Sequence, residues 1–86
     1  MRKRNDYITE SEKQKIWGVI DTIAKDNGIS TSRLAKIAGL DATAFNISKR
    51  VADGYCRTPH MTTVMAILRA CNLTWHDWAK YWDSVE

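Results

Sequence analysis

The sequence predicts an all-α domain of five helices. Apolar residues recur at the three- and four-residue spacing of amphipathic helices in five separate stretches. Residues that favour helix caps or left-handed turns lie at the ends of most of these stretches. One proline and four glycines in 86 residues leave the stretches largely uninterrupted. We therefore expect one small domain with a single hydrophobic core, over residues 9–86.

The first predicted helix begins near Thr9. Thr9 and Glu12 have the spacing of a capping box, in which each side chain bonds the backbone N–H of the other residue. Asn27 and Gly28 supply a stop signal. The expected inward stripe is Ile16, Ile20, Ile23 and Ala24, widened by Trp17. We expect residues 1–8, which precede this helix, to form a flexible basic arm that either solubilises the chain or contacts DNA.

Residues 30–53 have the pattern of two short helices joined by a tight turn. Ser30 is placed to cap the second helix of the chain, and Gly39 to end it in a left-handed conformation. Asp41 would then cap a third helix that opens at Ala42. At about 100° per residue, one side of that helix would carry Thr43, Asn46 and Arg50. This predicts a helix-turn-helix; the alternative is an ordinary helical hairpin with a solvated polar face.

Two further helices complete the predicted fold. The fourth covers about residues 61–71, ends at Asn72, and directs Val64, Ile67, Leu68 and Cys71 inward. The fifth begins after a Thr74 cap and is rich in aromatic residues, which are enriched at protein interfaces. We therefore expect a homodimer through this helix, the alternative being one large monomer core. The predicted dimer contacts are Tyr81, Trp82 and Val85.

Several of these residues resemble a known class of domain. Leu34-Ala35, Gly39-Leu40, Phe45, Pro59 and Ile67-Leu68 are similar to the lambda-repressor-like (XRE-type) helix-turn-helix domains. The run Phe45-Asn46-x-Ser48-Lys49-Arg50 and the loop Gly54-x-x-Arg57-x-Pro59 resemble the N-terminal domains of bacterial phage-repressor-like regulators. The likeness covers roughly residues 16–78. It implies a sequence-specific double-stranded DNA-binding transcriptional regulator, in particular a repressor.

The expected DNA contacts follow from a third helix lying in the major groove. Base edges would meet Thr43 and Asn46, with Ala42 permitting close approach. Phosphates would be neutralised by Lys49 and Arg50 or bound at the start of the second helix. The full predicted set is Thr31, Ser32, Ala42, Thr43, Asn46, Lys49, Arg50, Tyr55 and Arg57, with Arg2, Lys3 and Arg4 of the arm.

The charge distribution agrees with a polyanionic partner. Residues 31–70 contain six basic residues against Asp41 and Asp53, and the net charge of the chain is +3. No apolar run approaches the length of a membrane span, and no signal-peptide core follows the basic start. We expect a cytoplasmic, nucleoid-associated protein of bacteria.

The sequence offers little for catalysis. It has no glycine-rich phosphate loop and no credible nucleophile–base pair, and we expect neither an enzyme nor a cofactor. A zinc site from Cys56, His60, Cys71 and His76 would depart from the paired ligand spacing of structural sites. The alternative function is a helical protein-interaction module, such as an antitoxin or anti-repressor, that uses the Trp-rich C-terminal helix.

Overall fold

A computed structural model describes residues 9–52 and 54–85, without the side chains of Ala52 and Tyr55. Within these residues the chain is mostly helical, which confirms the predicted class, and it adds one small antiparallel hairpin. That hairpin pairs Val51 with Cys56 and Ala52 with Tyr55. The elements are α1 (Glu10–Asp26), α2 (Thr31–Ile37), α3 (Ile47–Arg50), β1 (Val51–Ala52), β2 (Tyr55–Cys56), α4 (Met61–Ala70) and α5 (Trp75–Ser84).

The predicted caps of α1 and α2 are confirmed. The Thr9 hydroxyl accepts from the Glu12 N–H at 3.1 Å, and the Glu12 carboxylate accepts from the Thr9 N–H at 2.9 Å. The Ser30 hydroxyl accepts from the Arg33 N–H at 3.1 Å. Gly39 has a φ of +83°, a left-handed conformation that glycine adopts at little cost, and it ends the second helix as expected.

Helix α1 supplies the centre of the core. Val19, Ile20 and Ile23 are fully buried, and so are Leu34 of α2 and Ile67 of α4. The predicted stripe was wrong at one position, because Ile16 is only half-buried and Val19 takes the inward place. The remaining buried members of this cluster are Trp17, Ala24, Ala35, Phe45 and Cys56.

Helix α5 packs along α1 within the same chain. A Cβ atom added to Gly18 would lie 3.0 Å from Val85 Cγ1, so the glycine permits the close approach. The Lys15 ammonium lies 4.6 Å from the centre of the Trp82 ring. The Tyr81 hydroxyl donates to the Asp26 carboxylate at 2.6 Å, and this bond is the main cause that raises the pKa of Tyr81 to about 12.

These contacts involve the residues of the predicted dimer interface. The three residues expected there, Tyr81, Trp82 and Val85, are half-buried against the chain's own core. Their apolar surface is therefore largely used inside the monomer. What they still expose is the part of their surface that a second copy could contact.

The third helix is present, but its predicted start at Ala42 is wrong. Residues 41–46 form turns, in which the Ala44 N–H donates to the Asp41 carbonyl at 2.9 Å, and a helix begins only at Ile47. In a continuous helix the Lys49 N–H would donate to the Phe45 carbonyl. Here it donates to the Asn46 carbonyl at 2.8 Å, and the Phe45 carbonyl accepts from Arg50 Nε at 2.8 Å instead.

We expect Ile20→Val to lower the free energy of unfolding by about 0.5–1.5 kcal/mol, because it removes one methyl group from a close-packed core. Ile37→Val is the matched control, since Ile37 is 45% exposed on α2. It should cost less than about 0.5 kcal/mol. Urea unfolding of both variants measures the difference, and equal losses would contradict this account of the core.

Candidate nucleic-acid interface

The predicted base-reading residues lie on what we call the turn–helix segment, residues 41–50. Thr43, Asn46 and Lys49 are all exposed, and α3 has no buried residue. Asn46 occupies the N-cap position of α3 with φ −67° and ψ 154°, but its side chain makes no capping bond. Ile47 next to it is 70% exposed. The segment therefore presents an amide, an apolar side chain and an ammonium group at the surface.

Asp41 organises the turn that precedes α3. Its Oδ1 accepts from the Thr43 N–H at 2.9 Å and from the Thr43 hydroxyl at 2.8 Å. These two bonds, the backbone bond first, lower the pKa of the Asp41 carboxyl. Lys49 Nζ lies 3.5 Å from Thr43 Oγ1. Asp41 thus makes the local bonds of the predicted cap, although no helix follows directly.

Arg50 departs from its predicted place beside Thr43 and Asn46. Its two terminal nitrogens donate to the Asp21 carboxylate at 2.9 and 2.7 Å. The guanidinium carbon lies 4.9 Å from the centre of the Trp17 ring, and only 12% of the side chain is exposed. Thr43, Asn46 and Arg50 therefore do not lie along one side of a helix, because α3 begins only at Ile47 and the Arg50 side chain is directed to α1.

The other predicted contacts are scattered around the turn–helix segment. Ser32 is exposed in the first turn of α2, whereas Thr31 and Ala42 are half-buried. Arg57 is exposed, and its backbone is fixed: its N–H donates to the Arg50 carbonyl at 2.6 Å, and its carbonyl accepts from Trp17 Nε1 at 2.7 Å. The Tyr55 side chain and arm residues Arg2, Lys3 and Arg4 lie outside the described residues.

Charge on this half of the chain is predominantly positive. Between residues 31 and 57, the described exposed carboxylate is Asp41. The charge of Arg50 is neutralised by Asp21 across the 2.7 Å contact. The exposed basic side chains of the same range are Arg33, Lys36, Lys49 and Arg57.

A second surface feature, which we call the Trp groove, lies where α5 meets α4 and α1. Its volume is about 260 Å³. Trp75 and Trp78 meet edge to face with ring centres 6.2 Å apart. Met61 is 65% exposed and Trp75 46% exposed, so the groove is apolar and open. Ile16, which the sequence predicts to lie in the core, lines this groove, and so does Met61, for which the sequence predicts no role. The groove is lined by Ile16, Pro59, Met61, Val64, Trp75, Trp78 and Trp82.

The described residues contain no group of three or more histidine, cysteine or acidic side chains placed to hold a metal ion. Cys56 and Cys71 are both free thiols, and burial raises the pKa of each. Within the same described residues, every helix is too short or too polar to span a membrane.

Comparison of the chain with protein families, with curated proteins and with solved structures gives no match. A function for the chain must therefore be inferred from its own residues.

We expect Thr43→Val to raise the pKa of Asp41 toward 3.8, its ordinary value, because one of its two stabilising donors is removed. A carboxyl group with a depressed pKa stabilises the folded state above its unfolded pKa. That stabilisation is lost as the pH falls through the folded value. In the wild type the loss therefore occurs below about pH 4.

NMR titration of the carboxyl carbons measures the pKa of Asp41 in the wild type and in Thr43→Val. Thr74→Val is the reciprocal control, because Thr74 lowers the pKa of Asp77 in the same way at the start of α5. It should raise the pKa of Asp77 and leave that of Asp41 unchanged. The backbone bond remains in Thr43→Val, so the rise is partial; an Asp41 pKa equal to the wild-type value would show that the hydroxyl bond is unimportant.

Proposed function

We propose that the chain is a sequence-specific double-stranded DNA-binding transcriptional regulator of the lambda-repressor-like kind, acting as a repressor on the bacterial nucleoid. The observation that carries the proposal is the turn–helix segment. It exposes Thr43, Asn46 and Lys49 together, and it is anchored to the core through the buried Phe45. The predominance of basic over acidic exposed side chains around it also supports a polyanionic partner.

In this proposal the turn–helix segment enters the major groove with its α3 N-terminus leading. The Asn46 amide combines a donor and an acceptor and can therefore bond an adenine edge at two atoms. Ile47, which is 70% exposed, is suited to contact a thymine methyl group. Since α3 has only four residues, base reading relies on its first turn and on the turn before it.

Phosphate contacts would supply most of the affinity. Lys49 lies within the turn–helix segment, and Arg57 is exposed on a loop whose backbone is bonded to Arg50 and Trp17. We do not include Arg50 among the phosphate contacts. To bind a phosphate it would have to break its two hydrogen bonds to Asp21, which costs more free energy than moving an exposed lysine or arginine side chain. Further proposed contacts are Thr31, Ser32, Arg33, Lys36 and Tyr55, with Arg2, Lys3 and Arg4 of the arm.

We expect Asn46→Ala to weaken binding to the preferred duplex by about 1–3 kcal/mol and to relax specificity at one base pair. Lys49→Ala should instead weaken all sequences alike and lower the salt slope by about one unit. The preferred duplex is first selected from a random pool, and fluorescence titrations at several salt concentrations follow.

Lys80→Ala is the matched control for charge, because Lys80 is an exposed lysine of α5. It should leave the affinity for the preferred duplex and the salt slope close to the wild-type values. The proposal is wrong if the pool gives no preferred duplex. It is also wrong if Asn46→Ala and Lys49→Ala both bind like the wild type.

The second candidate function is a helical protein-interaction module, such as an antitoxin or anti-repressor. The Trp groove favours it, because exposed Trp and Met side chains around an apolar groove are typical of protein interfaces. In the regulator we propose that the same groove receives α5 of a second copy. The homodimer would then form mainly through Met61 and Trp75, the most exposed residues of the groove, because Tyr81, Trp82 and Val85 are half-buried in their own chain.

We expect Trp75→Ala to raise the dissociation constant of the homodimer about thirtyfold. A few aromatic residues at the centre of an interface supply a large share of the binding free energy. Met65→Ala is the control; Met65 is 47% exposed but does not line the Trp groove. Sedimentation equilibrium measures the dissociation constant of the homodimer for the wild type and for each variant. A wild-type monomer at all concentrations would contradict the homodimer. If the chain also shows no salt-sensitive affinity for DNA, a protein-interaction module explains it better than a DNA-binding regulator.

A further inference from the structure

We propose that Asp21 is a positioning residue for DNA reading: through Arg50 it fixes the backbone that presents Asn46. The inference rests on the proposed function, because it assigns Asp21 a part in base recognition without any contact to DNA. Asp21 lies on α1, 29 positions from Arg50 in the sequence. We call Asp21, Arg50 and the Phe45 carbonyl together the clamp.

The clamp uses three donors of one guanidinium group. The two terminal nitrogens of Arg50 bond the two oxygens of Asp21, at 2.9 and 2.7 Å. Its Nε bonds the Phe45 carbonyl at 2.8 Å. The guanidinium carbon also lies over the Trp17 ring, 4.9 Å from its centre. Arginine has the planar, forked geometry needed to make these bonds at once, whereas lysine is a single point donor.

The clamp acts directly on the residue before Asn46. The Phe45 carbonyl accepts from Arg50 Nε, and the Lys49 N–H donates one residue further along the chain, to the Asn46 carbonyl. Asn46 has an extended backbone at the start of α3. The Phe45 ring is held on the other side, edge to face with Trp17 at 6.1 Å. Both the carbonyl and the ring of Phe45 are thus tied to α1.

A competing role for the same residues predicts the opposite result. If Arg50 were a phosphate ligand restrained by Asp21, removing the Asp21 charge would release it toward DNA. Binding to every sequence would then strengthen, and the salt slope would grow by about one unit. If Arg50 positions Asn46, the same change weakens binding to the preferred duplex and leaves non-specific binding unchanged.

The test compares Asp21→Asn with Asp21→Glu and Asp83→Asn. Asp21→Asn should weaken binding to the preferred duplex about tenfold, the loss that accompanies one misread base pair. Affinity for random duplex and the salt slope should match those of Asp83→Asn, which removes the same charge from an exposed position on α5. Asp21→Glu keeps the carboxylate and should recover most of the specificity.

Arg50→Lys keeps the positive charge but loses the fork, and it should behave like Asp21→Asn. Binding that strengthens in Asp21→Asn, or that equals that of Asp83→Asn for every duplex, overturns the positioning role. Urea unfolding of each variant separates a change in specificity from a loss of folded protein.

A second measurement needs no DNA. Amide hydrogen exchange of residues 43–47 should quicken in Asp21→Asn relative to the amides of α4, and Asp21→Glu should restore it. Unchanged exchange overturns the clamp even if the protein binds DNA. If instead the wild type prefers no duplex while exchange responds as expected, the clamp holds the turn and it is the DNA-binding proposal that fails.

Discussion

Burial of one face of α1 is the constraint on which the other elements depend. Val19, Ile20 and Ile23 are fully buried and contribute the middle of the core. Side chains at the edges of this face fix the surrounding segments by polar contacts. Glu10 accepts from the Cys56 N–H of β2 at 2.7 Å, and Trp17 donates to the loop carbonyl of Arg57 at 2.7 Å. A helix of 17 residues thus provides both the apolar surface and the anchor points for the loops.

The parts of the fold that the sequence predicts correctly are those specified by neighbouring residues. Thr9 and Thr74 each form a capping box with the acid three positions later, and Ser30 caps α2. Asn72 and Gly39 adopt the left-handed backbone expected where α4 and α2 end. Each signal needs only the chemistry of a few adjacent side chains, so helical periodicity and cap preferences suffice to find four of the five helices.

The turn–helix segment was mispredicted because a distant contact decides its conformation. Residues 42–52 fit a helical pattern, yet Thr, Phe, Asn and Ile have only moderate helix propensity, so a modest tertiary preference can interrupt the helix. We propose that the pairing of Arg50 with Asp21 of α1 supplies this preference; no local pattern reveals that contact. The candidate site was accordingly predicted in part: Thr43, Asn46 and Lys49 are exposed, whereas Arg50 is not on their surface.

The interrupted helix also bears on how the two proposed surfaces work together. A four-residue α3 offers few base contacts, so one copy alone would bind a short site weakly. A second copy would double the readable sequence. Ile16 of the Trp groove and Asp21 of the clamp are five positions apart on α1, which places them about 140° apart around the helix. The two proposed surfaces therefore lie on different sides of α1, and a second copy in the Trp groove would not have to cover the clamp.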